Sequence, residues 1–197
     1  MTIIPVREPE RLRSSRWSSP HEDHFLTLCI DRRAPGLATP QFNSEFHAAT
    51  HLLTLEGKWH VRTATVMPYH VHFLVTLGEP ADMPAVVDIF QDCLAPCLQR
   101  AGLHWERGYY DRPMNPGEDH LPPFLYIFQN PYRARLLDPT DKWPGYYCAE
   151  GDWTWFAPLT RTACQFPGWL LQWRLYAVEP PATARATAAG KPLSLRK

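Results

Sequence analysis

The chain has 197 residues, of which 45% are hydrophobic and 20% charged, so it can bury one hydrophobic core and lacks the composition of a disordered protein. Its 20 basic and 20 acidic residues give a formal net charge of zero, which excludes the strongly basic composition common among nucleic-acid-binding proteins. Five cysteines without a Cys-x-x-Cys pair exclude an obvious disulfide framework or structural zinc site.

The N-terminal part of the chain predicts an arm, a strand and a helix. Residues 1–22 are polar and rich in Arg, Ser and Pro, so we expect a flexible arm there. The segment His24–Ile30 is dense in Phe, Leu, Thr and Ile and predicts a strand. A helix should follow, because Thr39 can cap it, Pro40 suits its first turn and Gly57 can end it.

Two strands and a second helix are predicted next. The strands occupy Trp59–Met67 and His70–Leu77. Asp82 can cap the helix that follows, and apolar residues recur along it at helical spacing until Gly102. Pro96 falls inside this span and is expected to kink or interrupt the helix.

A fourth strand, predicted over His104–Met114, completes the order strand, helix, strand, strand, helix, strand. This is the split βαβ or ferredoxin-like arrangement, an α+β sandwich in which helices cover one face of an antiparallel sheet. We therefore expect one domain over residues 23–137, with the other sheet face left open for a site.

A third helix should begin near Pro122. Its apolar residues form one stripe on a helical wheel, namely Leu121, Phe124, Leu125 and Phe128. Tyr126 and Asn130 lie one turn apart on the opposite side, so Tyr126 is not expected in the core. Asn130 precedes a proline, which disfavours helical geometry there.

The remaining chain divides into two parts. Residues 138–178 are rich in Trp, Tyr and Phe and are expected to pack on the domain, whereas residues 179–197 should form a disordered basic tail. Since no apolar run approaches the roughly 20 residues that span a bilayer, we expect a cytoplasmic protein with no membrane contact.

His70 and His72 are the most informative pair in the sequence. Residues two apart on a strand project from the same face, so the two imidazoles should stand side by side while Val71 and Phe73 point into the core. This arrangement supplies half of a metal site. The alternative is a polar sheet face in contact with water.

Two motifs together resemble those of a known family. The first is the run Met67-Pro68-Tyr69-His70-Val71-His72, and the second is the run from Tyr126 to Pro131, in which Asn130 precedes Pro131. Their order and spacing resemble those of the REP-associated tyrosine transposases, which belong to the HUH single-strand transposases and carry Met-Pro-x-His-x-His and Tyr-x-x-x-Asn-Pro motifs. The resemblance extends from about Phe25 to Trp143.

The resemblance implies a metal-dependent strand transferase that cleaves and rejoins hairpin-containing single-stranded DNA. Tyr126 would be the catalytic nucleophile and would form a 5′-phosphotyrosine intermediate. His70, His72 and Asn130 would bind the divalent metal, Mg²⁺ or Mn²⁺. A tyrosine hydroxyl has a reference pKa near 10, so its attack on a phosphodiester needs the charge stabilisation that such a cation provides.

Sixteen of the 20 basic residues are arginine, whose planar fork suits phosphate. Four of them lie near the predicted site in sequence and are candidates for DNA binding, although each alone can be an ordinary surface group: Arg107, Arg112, Arg133 and Arg135. Two other functions stay open, a catalytically weak or inactive hairpin-binding descendant of such a transposase and a metal-dependent phosphodiesterase that uses water. The resemblance is compatible with a monomer or a homodimer.

Overall fold

The computed structural model describes residues 21–31, 36–138 and 141–160. Most of the predicted N-terminal arm, residues 161–178 of the aromatic segment and the predicted tail at 179–197 lie outside these ranges. Nine elements follow in chain order: β1 (Asp23–Cys29), α1 (Pro40–Leu55), β2 (Trp59–Val66), β3 (His70–Leu77), α2 (Met83–Arg100), β4 (Tyr110–Pro113), α3 (Leu121–Arg133), β5 (Tyr146–Cys148) and α4 (Glu150–Thr160).

The strands form one antiparallel sheet in the order β4-β1-β3-β2-β5. Its first four positions have the order expected of a split βαβ sandwich, and β5 adds a fifth strand beside β2. The predicted α+β, ferredoxin-like class is therefore confirmed. Strand β3, which carries both histidines, is the central strand and has a full-length partner on each side.

One sheet face packs against α1 and α2. Its core includes a cluster of large aromatic side chains whose ring centroids lie 5.2–5.9 Å apart: Phe46, Trp59, Phe73 and Phe90. Helix α1 begins as predicted, since the Thr39 hydroxyl accepts a hydrogen bond of 3.1 Å from the Phe42 amide. These contacts hold α1 and α2 on one face of the sheet. The candidate site lies on the opposite face.

The second face is covered by α3 and α4, so the expectation of an open face is wrong. Helix α3 packs on the sheet and against α4, and Phe124 and Phe128 contact Phe156 of α4 with ring centroids 5.2 and 5.7 Å apart. The helical wheel of α3 predicted one apolar stripe because Phe124 and Phe128 are its largest apolar residues. The wheel did not reveal that the opposite side of α3 packs on the sheet.

Three expectations about local structure are also corrected. Helix α2 continues through Pro96 to Arg100, because Leu94, Cys97 and Leu98 on either side of the proline are buried against the sheet. Helix α3 continues through Pro131, which lies in its last turn. Strand β4 is shorter than predicted, since Gly108, with a φ of 79°, interrupts the extended chain and only the bridge of Trp105 to Ile30 precedes it.

No helix within the described ranges is long and apolar enough to cross a bilayer.

Candidate functional site

His70 and His72 lie on the central strand, on the face that α3 covers. Their ring centroids are 4.5 Å apart and the rings are inclined by 68°. Both side chains are buried, His72 completely. The structure thus brings the two imidazoles together, and their burial argues against a polar sheet face in contact with water.

A threonine on the neighbouring strand fixes the orientation of His72. The Thr27 hydroxyl lies 2.8 Å from Nδ1 of His72, and the two residues are directly opposite each other in β1 and β3. Among the described residues, Nε2 of His72 is buried and has no hydrogen-bond partner. When Nδ1–H donates to Thr27, Nε2 carries a lone pair, which is the form of imidazole that binds a metal.

Burial lowers the pKa of His72 well below its ordinary value of 6.5, and the nearby charges of His70 and Arg133 lower it further. The imidazole of His72 is therefore neutral at neutral pH. A neutral ring needs to lose no proton before it can coordinate a cation.

Tyr126 lies beside the histidine pair. Its ring meets that of His72 edge to face, with centroids 5.2 Å apart, and also contacts Phe25 at 5.8 Å. The residue is 4% exposed, so the expectation that it lies outside the core is wrong. The physical reason is that this side of α3 faces the sheet, where β1 and β3 supply Phe25 and His72 as packing partners.

The third predicted metal ligand, Asn130, lies one turn after Tyr126 and is partly exposed. The neighbouring Gln129 is buried. Within the described ranges no group of three or more His, Cys, Asp or Glu residues is placed to hold a metal ion. A metal at the histidine pair would therefore need a donor of another type, and an amide oxygen suits Mg²⁺ or Mn²⁺.

The four candidate arginines occupy different environments. Arg133 places its guanidinium carbon 5.2 Å from the centroid of the Tyr126 ring. Arg112 forms a forked pair with Glu118 at 2.9 and 3.1 Å. Arg107 and Arg135 are exposed. The structure brings only Arg133 of these four to Tyr126 by a described contact.

A cluster around Arg62, near the start of α3, was not predicted from the sequence. Arg62 lies where the register of β2 against β3 shifts, and its guanidinium bonds Asp152 of α4 at 2.7 Å and Asp23 of β1 at 2.9 Å. It also lies 5.6 Å from the ring centroid of Phe124 in α3. Burial opposes its charge, yet the two carboxylates raise the pKa of Arg62 above its ordinary value. The cluster fixes α3 and α4 on the sheet.

His120 extends this cluster to the start of α3. Its Nε2 lies 2.7 Å from the Asp23 carboxylate, and His120 is the residue that precedes the first turn of the helix. The helix that carries Tyr126 is therefore anchored at its N-terminal end by charged groups and at its middle by aromatic contacts. Thr27 could have been found from the sequence by pairing the first and third strands, whereas Arg62 could not, because the register shift that places it has no sequence signal.

The described residues form an α+β fold that is shared by several solved structures. Eight solved chains are similar to it, and among them a REP-associated tyrosine transposase bound to a REP hairpin has 18% identity, covers 61% of this chain and 73% of its own, and has a TM-score of 0.52. The resemblance inferred from the two motifs is thus confirmed at the level of the fold.

A second similar structure is that of a proposed transposase from Deinococcus radiodurans R1. It has 15% identity, covers 52% of this chain and 86% of its own, and has a TM-score of 0.41. No family model and no curated protein matches the chain.

Proposed function

We propose that the protein is a metal-dependent strand transferase that cleaves and rejoins hairpin-containing single-stranded DNA through a 5′-phosphotyrosine intermediate. The observation that supports this most strongly is the contact between the Tyr126 ring and His72, which unites the two motifs at one place. A DNA hairpin as partner is supported by the structurally similar REP-associated tyrosine transposase, which is bound to one.

His70, His72 and Asn130 are the residues that would hold Mg²⁺ or Mn²⁺. The cation would act as a Lewis acid that stabilises negative charge on the phosphate as the reaction proceeds. His72 suits this role, because its Nδ1 lies 2.8 Å from the Thr27 hydroxyl and its buried Nε2 has no hydrogen-bond partner among the described residues.

Tyr126 is the proposed nucleophile. Its phenolic oxygen attacks the phosphorus of a phosphodiester, the bond from phosphorus to the 3′-oxygen breaks, and the phenolic proton passes to solvent. The departing 3′-oxygen takes a proton from solvent and becomes a free 3′-hydroxyl. Because one phosphate ester replaces another, the reverse attack by a 3′-hydroxyl rejoins strands without a nucleotide cofactor.

A second candidate function is hairpin binding without cleavage. It is favoured by the burial of Tyr126, which is 4% exposed, and of both histidines, because a phosphodiester must reach the phenol before it can react. On this candidate the histidine pair and the tyrosine are structural parts of an inherited fold.

One assay distinguishes these functions. The protein is incubated with labelled hairpin DNA and Mn²⁺, and covalent adducts are separated under denaturing conditions. We expect an adduct that is lost in Tyr126→Phe and retained in Tyr132→Phe, a matched variant on the same helix whose hydroxyl bonds the Asp141 carbonyl. Retention of DNA without an adduct supports the binding protein, and cleavage without an adduct that survives Tyr126→Phe supports a phosphodiesterase that uses water.

A further inference from the structure

We propose that Arg133 binds the phosphate that Tyr126 attacks, so that the reacting phosphodiester lies between the guanidinium and the histidine pair. This inference deepens the proposed function and rests on it in taking single-stranded DNA as the partner. It assigns to Arg133 a contact with one particular phosphate rather than a general attraction to the DNA backbone.

Arg133 lies on the same helix as Tyr126. It follows Tyr126 by about two turns, so both residues lie on the same side of α3. The Arg133 side chain folds back along this side and brings its guanidinium carbon to 5.2 Å from the Tyr126 ring centroid. A cation in contact with an aromatic face is held in place by the ring, so Arg133 is oriented before any DNA arrives.

Arg133 and His72 both contact the ring of Tyr126. The guanidinium carbon of Arg133 and the ring centroid of His72 each lie 5.2 Å from the centroid of that ring. Any phosphate in reach of the Tyr126 hydroxyl lies within the field of this guanidinium, where an anion is stabilised.

Among the six arginines of the described residues, Arg133 alone has a described contact with the proposed nucleophile. Arg107 and Arg135 are exposed, and the φ of 56° at Arg135 marks a change of chain direction just after the helix. The planar fork of Arg133 suits two oxygens of a phosphodiester.

The test asks whether the loss of DNA affinity on neutralising one phosphate depends on Arg133. The probe is a DNA hairpin with single-stranded flanks, taken from inverted repeats beside the gene and synthesised with one neutral methylphosphonate at successive linkages. Affinities are measured without divalent metal in the Tyr126→Phe protein, which has no phenol to react. We expect one linkage in the flank at which the neutral substitution weakens binding by about tenfold.

Arg133→Gln should abolish the effect of that one methylphosphonate, and Arg133→Lys should retain part of it, because lysine keeps the charge but loses the fork. Arg135→Gln is the matched control and should leave the effect unchanged while it lowers affinity for all probes alike. The inference is overturned if every linkage responds equally in Arg133→Gln and its parent, or if no hairpin binds.

The adduct assay of the wild-type chain on the same hairpin separates this inference from the proposed function. If the methylphosphonate effect depends on Arg133 and no adduct forms, Arg133 contacts the phosphate but the protein does not transfer strands. If an adduct forms and the methylphosphonate effect does not depend on Arg133, the protein transfers strands and the proposed role of Arg133 is wrong.

Discussion

The hydroxyl of Thr27 lies 2.8 Å from Nδ1 of His72, inside a sheet where both side chains are buried. A second threonine, Thr65, stands opposite His72 on the other neighbouring strand, and its hydroxyl has no hydrogen-bond partner among the described residues. Thr27 and Thr65 are both buried and both stand opposite His72, but only the Thr27 hydroxyl lies within hydrogen-bond distance of its ring. This difference provides a matched pair of substitutions.

Thr27→Val should weaken Mn²⁺ binding by about 10- to 100-fold, because His72 loses the partner that fixes its tautomer and ring orientation. Thr65→Val should leave Mn²⁺ affinity unchanged, since it removes a hydroxyl that bonds no described residue. Titration calorimetry with both variants measures the difference. Equal losses in the two variants would show that the threonines act through packing alone.

Asn130→Ala should also weaken Mn²⁺ binding, by at least about tenfold, because the proposed site loses its oxygen ligand. Tyr126→Phe should bind Mn²⁺ like the parent, since the phenol is not among the proposed ligands. Manganese binding followed by electron paramagnetic resonance reports both affinities. If Gln129→Ala lowered the affinity for Mn²⁺ and Asn130→Ala did not, the third ligand would be the buried amide of Gln129.

Arg62→Gln should lower the free energy of unfolding by about 2–4 kcal/mol, since it leaves the carboxylates of Asp23 and Asp152 close together and poorly solvated. Arg100→Gln is the matched control. Its pair with Glu45 is exposed on both sides, and the loss should be under about 1 kcal/mol. Urea unfolding of the two variants gives the comparison, and equal losses would contradict the anchoring role of Arg62.

The protein should lose stability at alkaline pH through the side chains of β5. Burial raises the pKa of the Cys148 thiol to about 12 from an ordinary value of 9.0, and burial also raises the pKa of Tyr146 and Tyr147. Between about pH 9 and pH 12 the unfolded chain therefore releases protons that the folded chain retains, so the free energy of unfolding falls as pH rises. Below about pH 9 the thiol keeps its proton in both the folded and the unfolded chain, so no stability is lost there.

Urea unfolding at several pH values between 8 and 11 tests the alkaline loss. Cys148→Ala should reduce the slope of stability against pH, while Cys93→Ala should leave it unchanged, because Cys93 is exposed on α2. An identical slope in the two variants would show that Cys148 ionises equally in the folded and unfolded chain.

Much of the fold could be predicted from local patterns. The first helix carries an N-cap threonine followed by proline, and the histidine strand has alternating residues that commit one side to the core. These signals are local, because they need only neighbouring residues along the chain. The order of strands then follows from a small set of known topologies.

The environment of the tyrosine helix could not be predicted in the same way. A helical wheel ranks sides by apolar content, and on α3 it selected the side with Phe124 and Phe128, which packs on α4. Tyr126 packs on the sheet through Phe25 and His72, whose strands are distant in sequence. Helix α3 therefore has two buried sides, and the sequence of one segment does not reveal what packs on the second side.

The residues of the candidate site could be predicted from the sequence, but their burial could not. The spacing of His70 and His72 required both rings to share one face, and the structure places them 4.5 Å apart. Their complete or nearly complete burial depends on α3, which the sequence placed correctly along the chain but not against the sheet.

The unequal lengths of the strands have a consequence for association between copies of the protein. In the part of the chain that the structure describes, the long strands occupy the interior of the sheet, and its two borders are formed by β4, with four residues, and β5, with three. A neighbouring chain that tried to extend the sheet would find few main-chain groups to pair with. The borders thus limit uncontrolled growth into larger β-structures, so the protein can keep apolar inner strands without exposing a long template for aggregation.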